Sequence, residues 1–353
     1  MPTDVSIASA RLGTGRFSQP DVGTFRRRRA PSTHAHPRGA TVTVACTPTG
    51  AIGWDDRQPT YPALPSVDGV RHRWVDTPRL RIHVAEAGAG EPLVLLHGWP
   101  QHWYAWRSLI PLLAGDFRVI CPDLRGFGWT DVPRTGYATA DFVADVEGLL
   151  DALDVRRVFL AGHDVGARVG FGICLSNPAR VRRFVALGGL HPYWQPRLLA
   201  PQAWRYWWTP LVETPLLGRW VVAHLPGYVR MLLRRGLADS NAVTGADIDT
   251  FVTSLRAPAR ARASEALMRT FAYREIVPTL LGRYRAHRLT VPTLMLNGTR
   301  DFALSPRSLG GYQDYADDLR LELLPGTGHH LAEECPATVA RWMREFFADD
   351  VGR

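Results

Sequence analysis

Short apolar runs, each followed by a polar or glycine-rich turn, recur along most of the chain. Those expected to be strands lie at 71–75, 80–87, 92–96, 117–121, 158–161, 184–187, 291–297 and 319–324. The runs at 92–96 and 158–161 contain only apolar residues. Continuous runs of this length are typical of strands buried on both faces, as in a parallel sheet. We therefore predict a mostly parallel central sheet.

Segments with helical periodicity separate these runs. In 140–153, six apolar residues recur at the spacing of one helix face. Further helices are predicted at 106–113, from the turn at 162–166 to about Ser176, and at 335–347. Strand, loop and helix repeated in this order favour an α/β fold with right-handed crossovers.

The alternation of strands and helices breaks between 191 and 287. This stretch has helical patterns, many aromatic residues and many arginines, but no convincing strand. We predict a core formed by 67–190 and 288–350, interrupted by a helical cap at 191–287. An insertion at the carboxyl ends of parallel strands would cover a pocket, where open α/β sheets bind ligands.

The charge distribution separates a tail from the rest of the chain. All 42 basic residues are arginine, the net charge is +9, and the first 50 residues carry +5 of it. Because residues 1–60 are also rich in proline, we predict a disordered tail there and no nucleic-acid partner. No stretch approaches the roughly 20 apolar residues of a membrane span, so we expect no membrane partner.

The four cysteines are widely separated and show no CxxC spacing. This distribution favours neither a metal site nor a disulfide framework. Cys121 and Cys174 lie in apolar stretches, where a free thiol behaves as a small core residue. A reducing cytoplasm fits this pattern.

The segment Gly162-x-Asp164-x-Gly166 lies between a predicted strand and a predicted helix. It has the form of a nucleophile elbow, a tight turn in which small neighbours allow a strained backbone. Asp164 would then be the nucleophile, at a helix N-terminus that favours an ionised carboxylate. The alternative is that Asp164 only caps the helix.

Two downstream residues favour the nucleophile. Asp301 follows the predicted strand at 291–297, and His329 lies in a loop before the last helix. The chain order nucleophile, acid, histidine is that of a catalytic triad on this type of fold. Taken singly, Asp301 could be a turn aspartate and His329 a surface-loop histidine.

A fourth element, His97-Gly98-Trp99-Pro100, follows the apolar run at 92–96. The backbone N–H groups of Trp99 and Val165 are expected to form an oxyanion hole. The alternative is a plain turn at the end of a strand.

On these motifs the chain resembles the epoxide hydrolases of the α/β-hydrolase fold. It is more distantly similar to the haloalkane and fluoroacetate dehalogenases, which share an aspartate nucleophile. The resemblance runs from about residue 70 to 347 and includes Asp123-Leu124-Arg125-Gly126-Phe127-Gly128. It implies that Asp164 attacks carbon, that Asp301 orients His329, and that the insertion is a helical cap. No cofactor or metal is expected.

An aspartate nucleophile suggests the reaction class. A carboxylate that attacks an acyl carbon would form an anhydride, so its natural target is an sp³ carbon, where it leaves an alkyl ester. His329 would then activate water to hydrolyse that ester. Directly after the nucleophile, haloalkane dehalogenases carry tryptophan and fluoroacetate dehalogenases carry arginine, whereas this chain has Val165. Fluoroacetate dehalogenases carry a second arginine four positions after the nucleophile, and only this one is matched, by Arg168. An arginine on the helix surface is the favoured interpretation of Arg168. Epoxide opening is favoured; a dehalogenase and a catalytically inactive binding protein remain alternatives.

The leaving oxygen of an epoxide needs a proton donor, which in the family is a cap tyrosine. Two such tyrosines are expected. The first cap tyrosine should fall within 204–208, and Met268 occupies the position expected for the second. The candidate donors are Tyr206, Trp207, Trp208 and Tyr273. The tryptophan-rich insertion indicates either a pocket for a bulky or aromatic epoxide or a tryptophan core. The expected partners are this substrate and water, and a homodimer is left open.

Overall fold

The computed structural model of the protein describes residues 62–348. The tail predicted at residues 1–60 and the end of the core beyond residue 348 lie outside these residues. Within them, no helix combines the length and the apolar character needed to cross a membrane.

Eight strands form one sheet. They are β1 (Arg71–Asp76), β2 (Arg81–Ala87), β3 (Glu91–Leu96), β4 (Phe117–Pro122), β5 (Val158–His163), β6 (Val181–Leu187), β7 (Thr293–Gly298) and β8 (Leu319–Leu324). Their order in the sheet is β1-β2-β4-β3-β5-β6-β7-β8. Only the pairs β1–β2 and β2–β4 are antiparallel. The predicted mostly parallel α/β fold is confirmed.

Twelve α-helices are present in the described part of the chain. They are α1 (Ile110–Leu113), α2 (Thr139–Ala152), α3 (Val165–Ser176), α4 (Pro196–Leu199), α5 (Thr209–Glu213), α6 (Leu217–His224), α7 (Pro226–Arg235), α8 (Gly245–Leu255), α9 (Pro258–Thr270), α10 (Ile276–Leu280), α11 (Leu331–Glu334) and α12 (Pro336–Ala348). Four 3₁₀ turns occur at Trp103–Trp106, Pro178–Arg180, Ala200–Tyr206 and Pro306–Ser308, and Phe271–Glu275 is π-helical.

The central strand β3 shows why the apolar runs are continuous. Leu93 and Leu95 belong to the hydrophobic cluster that includes Met343 of α12. Val94 and Leu96, which point the opposite way, belong to the cluster that includes Phe142 of α2. Because successive side chains of a strand face opposite sides, both faces must be apolar when helices cover both.

The helix predicted at 106–113 is split in the structure. A 3₁₀ turn ends at Trp106, and α1 begins at Ile110 with Pro111 in its first turn. Proline has no N–H group to donate within a helix, so it is tolerated only at a helix start.

The helices α4 to α10 lie between β6 and β7 and form a helical insertion in the order of the elements. The helices α6 and α9 pack against each other. Arg260 of α9 donates from Nε to the carbonyl of Gly128 in the core at 2.7 Å. The insertion is therefore fixed to the loop that follows β4.

Candidate active site

Asp164 occupies the turn between β5 and α3. Its backbone φ is +50°, a conformation that costs free energy for residues other than glycine. A Cβ at Gly162 would lie 2.3 Å from the carbonyl oxygen of Gly166, and one at Gly166 would lie 2.0 Å from that of Leu96. Glycines at both positions are thus required for the strand and the helix to meet this closely.

The Asp164 carboxylate points away from its own helix. Its Oδ2 accepts the backbone N–H of Trp99 at 3.0 Å, and the N–H of Val165 also bonds to the side chain. In the described part of the chain, the Asp164 side chain makes no N-cap hydrogen bond to α3 beyond the contact with the N–H of Val165, the first residue of that helix. The geometry thus brings together the three groups that the sequence predicted: Asp164 and the N–H groups of Trp99 and Val165.

Burial raises the pKa of Asp164. The charge of His329, the N–H groups of Val165 and Trp99, and the charge of Arg168 oppose this rise. Desolvation exceeds them because the carboxylate lies under the insertion, in surroundings of low polarity.

Asp301 and His329 form a buried pair. The Nδ1 of His329 lies 2.7 Å from Oδ2 of Asp301, and Oδ1 of Asp301 accepts the N–H groups of Ala303 and Leu304 at 2.7 and 2.9 Å. Burial by itself would raise the pKa of Asp301. His329 and these two N–H groups outweigh burial and lower this pKa. Burial by itself would lower the pKa of His329. The charge of Asp301, and to a smaller extent that of Asp164, outweighs burial and raises this pKa to about 9.

The loop that carries His329 is held between the core and the insertion. The N–H of His329 donates to the carbonyl of Gly236 at 2.6 Å. Glu334 of α11 accepts the N–H of Gly328 at 3.0 Å and, with its other oxygen, the N–H of Ala238 at 2.9 Å. The position of His329 therefore depends on both parts of the fold.

A cavity of about 510 Å³ lies between the carboxyl ends of the strands and the insertion. Asp164, His329, Trp99 and Val165 line its core side. Residues of the insertion close the opposite side; they include Tyr206, Trp208, Glu213, Phe271, Glu275 and Tyr284. Most of its wall is apolar, as is usual for a small-molecule site.

Two of the four candidate proton donors lie at this cavity. Tyr206 lines it, and burial together with Asp301 and Asp164 raises the pKa of Tyr206 to about 12. Trp208 is buried and stacks on Trp99, with ring centroids 5.7 Å apart and planes 3° from parallel. Among the described residues, the indole N–H of Trp208 has no hydrogen-bond acceptor.

The other two candidates lie at the surface. Trp207 is 51% exposed and Tyr273 is 66% exposed, and neither lines the cavity. In the 3₁₀ turn Ala200–Tyr206, side chains three residues apart overlie one another, so Ala203 and Tyr206 lie on the same side, toward the cavity. Trp207 directly follows Tyr206 and therefore lies on a different side. Trp207 and Tyr273 are therefore removed from the candidate donors.

From the sequence alone, an arginine on the surface of the helix is the favoured interpretation of Arg168, ahead of half of a carboxylate clamp, and the structure shows that this interpretation is wrong. Its side chain is 20% exposed, lines the cavity, and lies 4.2 Å from the centroid of the Phe271 ring. Its Nη1 lies 3.6 Å from Glu275, and burial lowers the pKa of Arg168. The second turn of α3 faces the insertion rather than water.

Many cavity residues escaped the sequence analysis, and those with ionisable side chains include Glu213, Glu275 and Tyr284. Both oxygens of the Glu275 carboxylate accept hydrogen bonds from Thr139. The backbone N–H of Thr139 donates to Oε1 at 2.6 Å, and its hydroxyl donates to Oε2 at 2.7 Å. Burial raises the pKa of Glu213. No local motif marks these positions, because helices that are far apart in the chain create their surroundings.

Comparison with known proteins places the chain in a family. The sequence pattern of the α/β hydrolase fold matches residues 91–336. A soluble epoxide hydrolase from Corynebacterium sp. (strain C12) is 31% identical over 76% of this chain and 94% of that protein. Epoxide hydrolase 3 from Siraitia grosvenorii is 41% identical, but the match spans only 34% of this chain and 39% of that protein.

Two further similarities cover most of the chain. The solved structure of the epoxide hydrolase CorEH without ligand superposes with a TM-score of 0.69 at 28% identity, over 79% of this chain and 99% of that one. A fluoroacetate dehalogenase from Burkholderia sp. is 27% identical over 80% of this chain and 95% of that protein. The chain therefore belongs to the α/β-hydrolase-fold family, and it is a hydrolase related to the epoxide hydrolases.

Proposed function

We propose that the protein opens an epoxide to a diol through a covalent ester on Asp164. One observation carries the proposal: at the base of an apolar cavity, a carboxylate bonds to two backbone N–H groups and faces the Asp301–His329 pair. Such a carboxylate suits attack on carbon followed by hydrolysis at its own carbonyl.

In the first step, an oxygen of Asp164 bonds to an epoxide carbon and the carbon–oxygen bond of the ring breaks. The Tyr206 hydroxyl donates its proton to the departing oxygen. Asp164 helps to raise the pKa of Tyr206 to about 12. A tyrosine with this pKa can still protonate an alkoxide, which is a stronger base.

In the second step, the ester is hydrolysed. Esterification removes the Asp164 charge, one of the causes that raise the pKa of His329. The pKa of His329 then falls, and His329 releases its proton to solvent, from which it regains one when the Asp164 carboxylate is restored. The neutral imidazole can accept a proton from the water that attacks the Asp164 carbonyl. The N–H groups of Trp99 and Val165 stabilise the oxyanion, an effect typically worth about 10²–10³ in rate per donor.

Collapse of the tetrahedral intermediate completes the cycle. The diol leaves with the proton held by His329, and the regenerated Asp164 carboxyl loses its own proton to the Tyr206 phenolate. The sum is epoxide plus water giving a diol. The cavity of about 510 Å³, with Trp208 and Phe271 in its wall, favours a bulky or aromatic epoxide.

A dehalogenase is the second candidate, and Arg168 is the observation in its favour. This guanidinium lies in the cavity, where it could bind the carboxylate of a haloacid. Its proximity to Glu275 at 3.6 Å leaves less charge for such a ligand. Halide release from haloacids without diol formation from epoxides would establish this candidate instead.

The proposal is tested by trapping the ester. His329→Gln removes the base of the second step, so incubation with styrene oxide should leave an adduct of one substrate mass on the Asp164 peptide. The double variant Asp164→Ala, His329→Gln is the control and should show no adduct by mass spectrometry. Absence of an adduct with every epoxide and haloacid tried would favour the inactive binding protein. A cytoplasmic location and a homodimer stay predictions from the sequence.

A further inference from the structure

The outer surface of the insertion carries a group of large apolar side chains that face solvent. We call it the tryptophan face, and its members are Trp204, Trp207, Leu211, Leu216, Leu217 and Trp220. Trp204 is 65% exposed and Leu216 is 69% exposed. Single exposed apolar residues are common, but Trp204, Trp207 and Leu211 recur at the spacing of one helix face, and the other three members lie at the start of α6, the next helix. Exposed apolar side chains repeated in this way indicate an interaction surface.

Periodicity separates this face from the interior. In the 3₁₀ turn Ala200–Tyr206, Ala203 and Tyr206 line the cavity, whereas Trp204 and the following Trp207 lie on another side. In α6, Val221 and Val222 are buried while Trp220 is exposed. The insertion therefore has two apolar sides, one toward the cavity and one toward solvent.

A strained turn presents Leu216 to solvent. Its backbone φ is +68°, which is costly for leucine. Its N–H donates to Oε2 of the buried Glu265 at 2.9 Å, and the same oxygen accepts the N–H and Nε of Arg219 at 3.2 and 2.7 Å. A buried carboxylate thus holds the turn in a conformation that exposes a large apolar side chain.

The insertion that carries the tryptophan face is positively charged, and two of its arginines lie close to this face. Residues 191–287 contain thirteen arginines and six acidic residues, a net charge of +7. The guanidinium of Arg205 lies 5.2 Å from the ring centroid of Trp204. Arg256 donates to the backbone carbonyl of Ala223, at the end of α6. These two arginines therefore place charge beside the apolar side chains.

We propose that the tryptophan face docks the protein onto an anionic lipid surface. Tryptophan and leucine insert at the boundary between headgroups and acyl chains, while arginine contacts the negative headgroups. This contact needs no membrane-spanning helix. A second copy of the chain fits less well, because a two-fold contact through this face would bring two strongly positive insertions together.

Docking would place lipid next to the wall of the cavity. Trp204 and Tyr206 belong to the same 3₁₀ turn, one toward solvent and the other toward the cavity. If the proposed epoxide reaction is correct, apolar epoxides dissolved in the lipid would have a short path to Asp164. The docking itself does not depend on that reaction.

Flotation with vesicles tests the proposal. The full chain should float with vesicles of phosphatidylcholine and phosphatidylglycerol, and much less with phosphatidylcholine alone. The variant Trp204→Ser, Leu216→Gly, Trp220→Ser should bind the anionic vesicles about tenfold or more weakly. Leu323→Ser, which removes an exposed leucine from β8, is the control and should bind like the unmodified chain.

The variant keeps every residue assigned to the proposed reaction, so its turnover of a water-soluble epoxide should be unchanged. Leu216→Gly also removes backbone strain, which favours folding. Unchanged vesicle binding by the triple variant would overturn the proposal, since the arginine-rich tail or charge alone would then explain it. Loss of a dimer in sedimentation velocity, with vesicle binding unaffected, would overturn it in favour of self-association.

Discussion

The sheet core and the helical insertion use apolar residues in opposite ways. In β5, all six residues are buried. In the insertion, Trp208 is buried against Trp99 while the adjacent Trp207 faces solvent. The core therefore fixes the proposed reacting groups at the ends of rigid strands, whereas the insertion shapes the space around them. Changes in the core should have the largest effects on the rate of reaction, and changes in the insertion should have smaller effects on the rate or alter which substrate reacts.

The largest effect is expected from Asp164 in the core. Asp164→Ala should lower turnover by about 10⁴-fold or more, because it removes the cavity carboxylate that lies between the Trp99 N–H and the Asp301–His329 pair. Asp154→Ala is the matched control, since Asp154 also has a positive φ, +52°, but is exposed at the end of α2. Steady-state diol formation measures both. Turnover retained by Asp164→Ala would rule out the covalent route.

Substitutions in the insertion give the next largest effect. Tyr206→Phe removes the proposed acid and should slow epoxide opening by about 10²-fold. Tyr273→Phe makes the same chemical change on an exposed side chain and should leave the rate unchanged. Single-turnover ester formation is the measurement, because it isolates the first step. Equal rates for the two variants would leave Trp208 as the remaining candidate donor.

The Asp301–His329 pair should make stability depend on pH. A raised His329 pKa contributes stability that is complete below about 6.5, its ordinary value, and is lost as the pH rises through about 9. A lowered Asp301 pKa contributes stability that is present above about pH 3.9, the ordinary pKa of aspartate. This stability is lost as the pH falls through the lowered pKa that Asp301 has in the folded protein. The contribution of the pair is therefore largest from about pH 4 to 6.5.

Urea unfolding of Asp301→Asn measures this effect. The deficit in unfolding free energy relative to the unmodified chain should shrink between about pH 6.5 and 9.5. Asp249→Asn, which breaks a surface pair with Arg230, should show a constant deficit over that interval, because arginine does not titrate there. If the deficit of Asp301→Asn were also constant over that interval, the charge of Asp301 would not raise the pKa of His329.

The smallest effect concerns the strained turn of the insertion. Leu216→Gly should raise the free energy of unfolding by about 0.5–1 kcal/mol, since glycine adopts a positive φ without steric cost. Leu211→Gly, within α5, should lower it by about 1 kcal/mol. Urea titration compares the two. Destabilisation by Leu216→Gly would mean that the leucine packs favourably where it lies, contrary to a surface kept for docking.

The core could be predicted from sequence because its signals are local. The run at 158–161 is continuous because β5 is buried on both faces. The glycines at 162 and 166 mark a turn whose geometry depends on chain neighbours and one adjacent strand. The catalytic roles of Asp164, Asp301 and His329 stay predictions, although these residues lie where the motifs placed them.

Expectations for the insertion, and for the part of the core that it covers, were less accurate because burial there depends on distant parts of the chain. Arg168 was taken for a surface residue, since nothing near it in sequence shows that Phe271 and Glu275 cover it. Trp207 and Trp208 are neighbours of the same type, yet only Trp208 meets Trp99. Local sequence could not separate such a pair.

The sequence by itself determined the sheet, the strained turn at Asp164 and the chain order of the proposed triad. Strand burial and tight turns depend on residues within a few positions of one another, so one-dimensional patterns record them. Only the tertiary structure decided that Tyr206 and Trp208 line the cavity, that Arg168 enters it, and that a second apolar face turns outward. Those outcomes follow from how the helices of the insertion pack over the strand ends, and residues far apart in the chain set that packing.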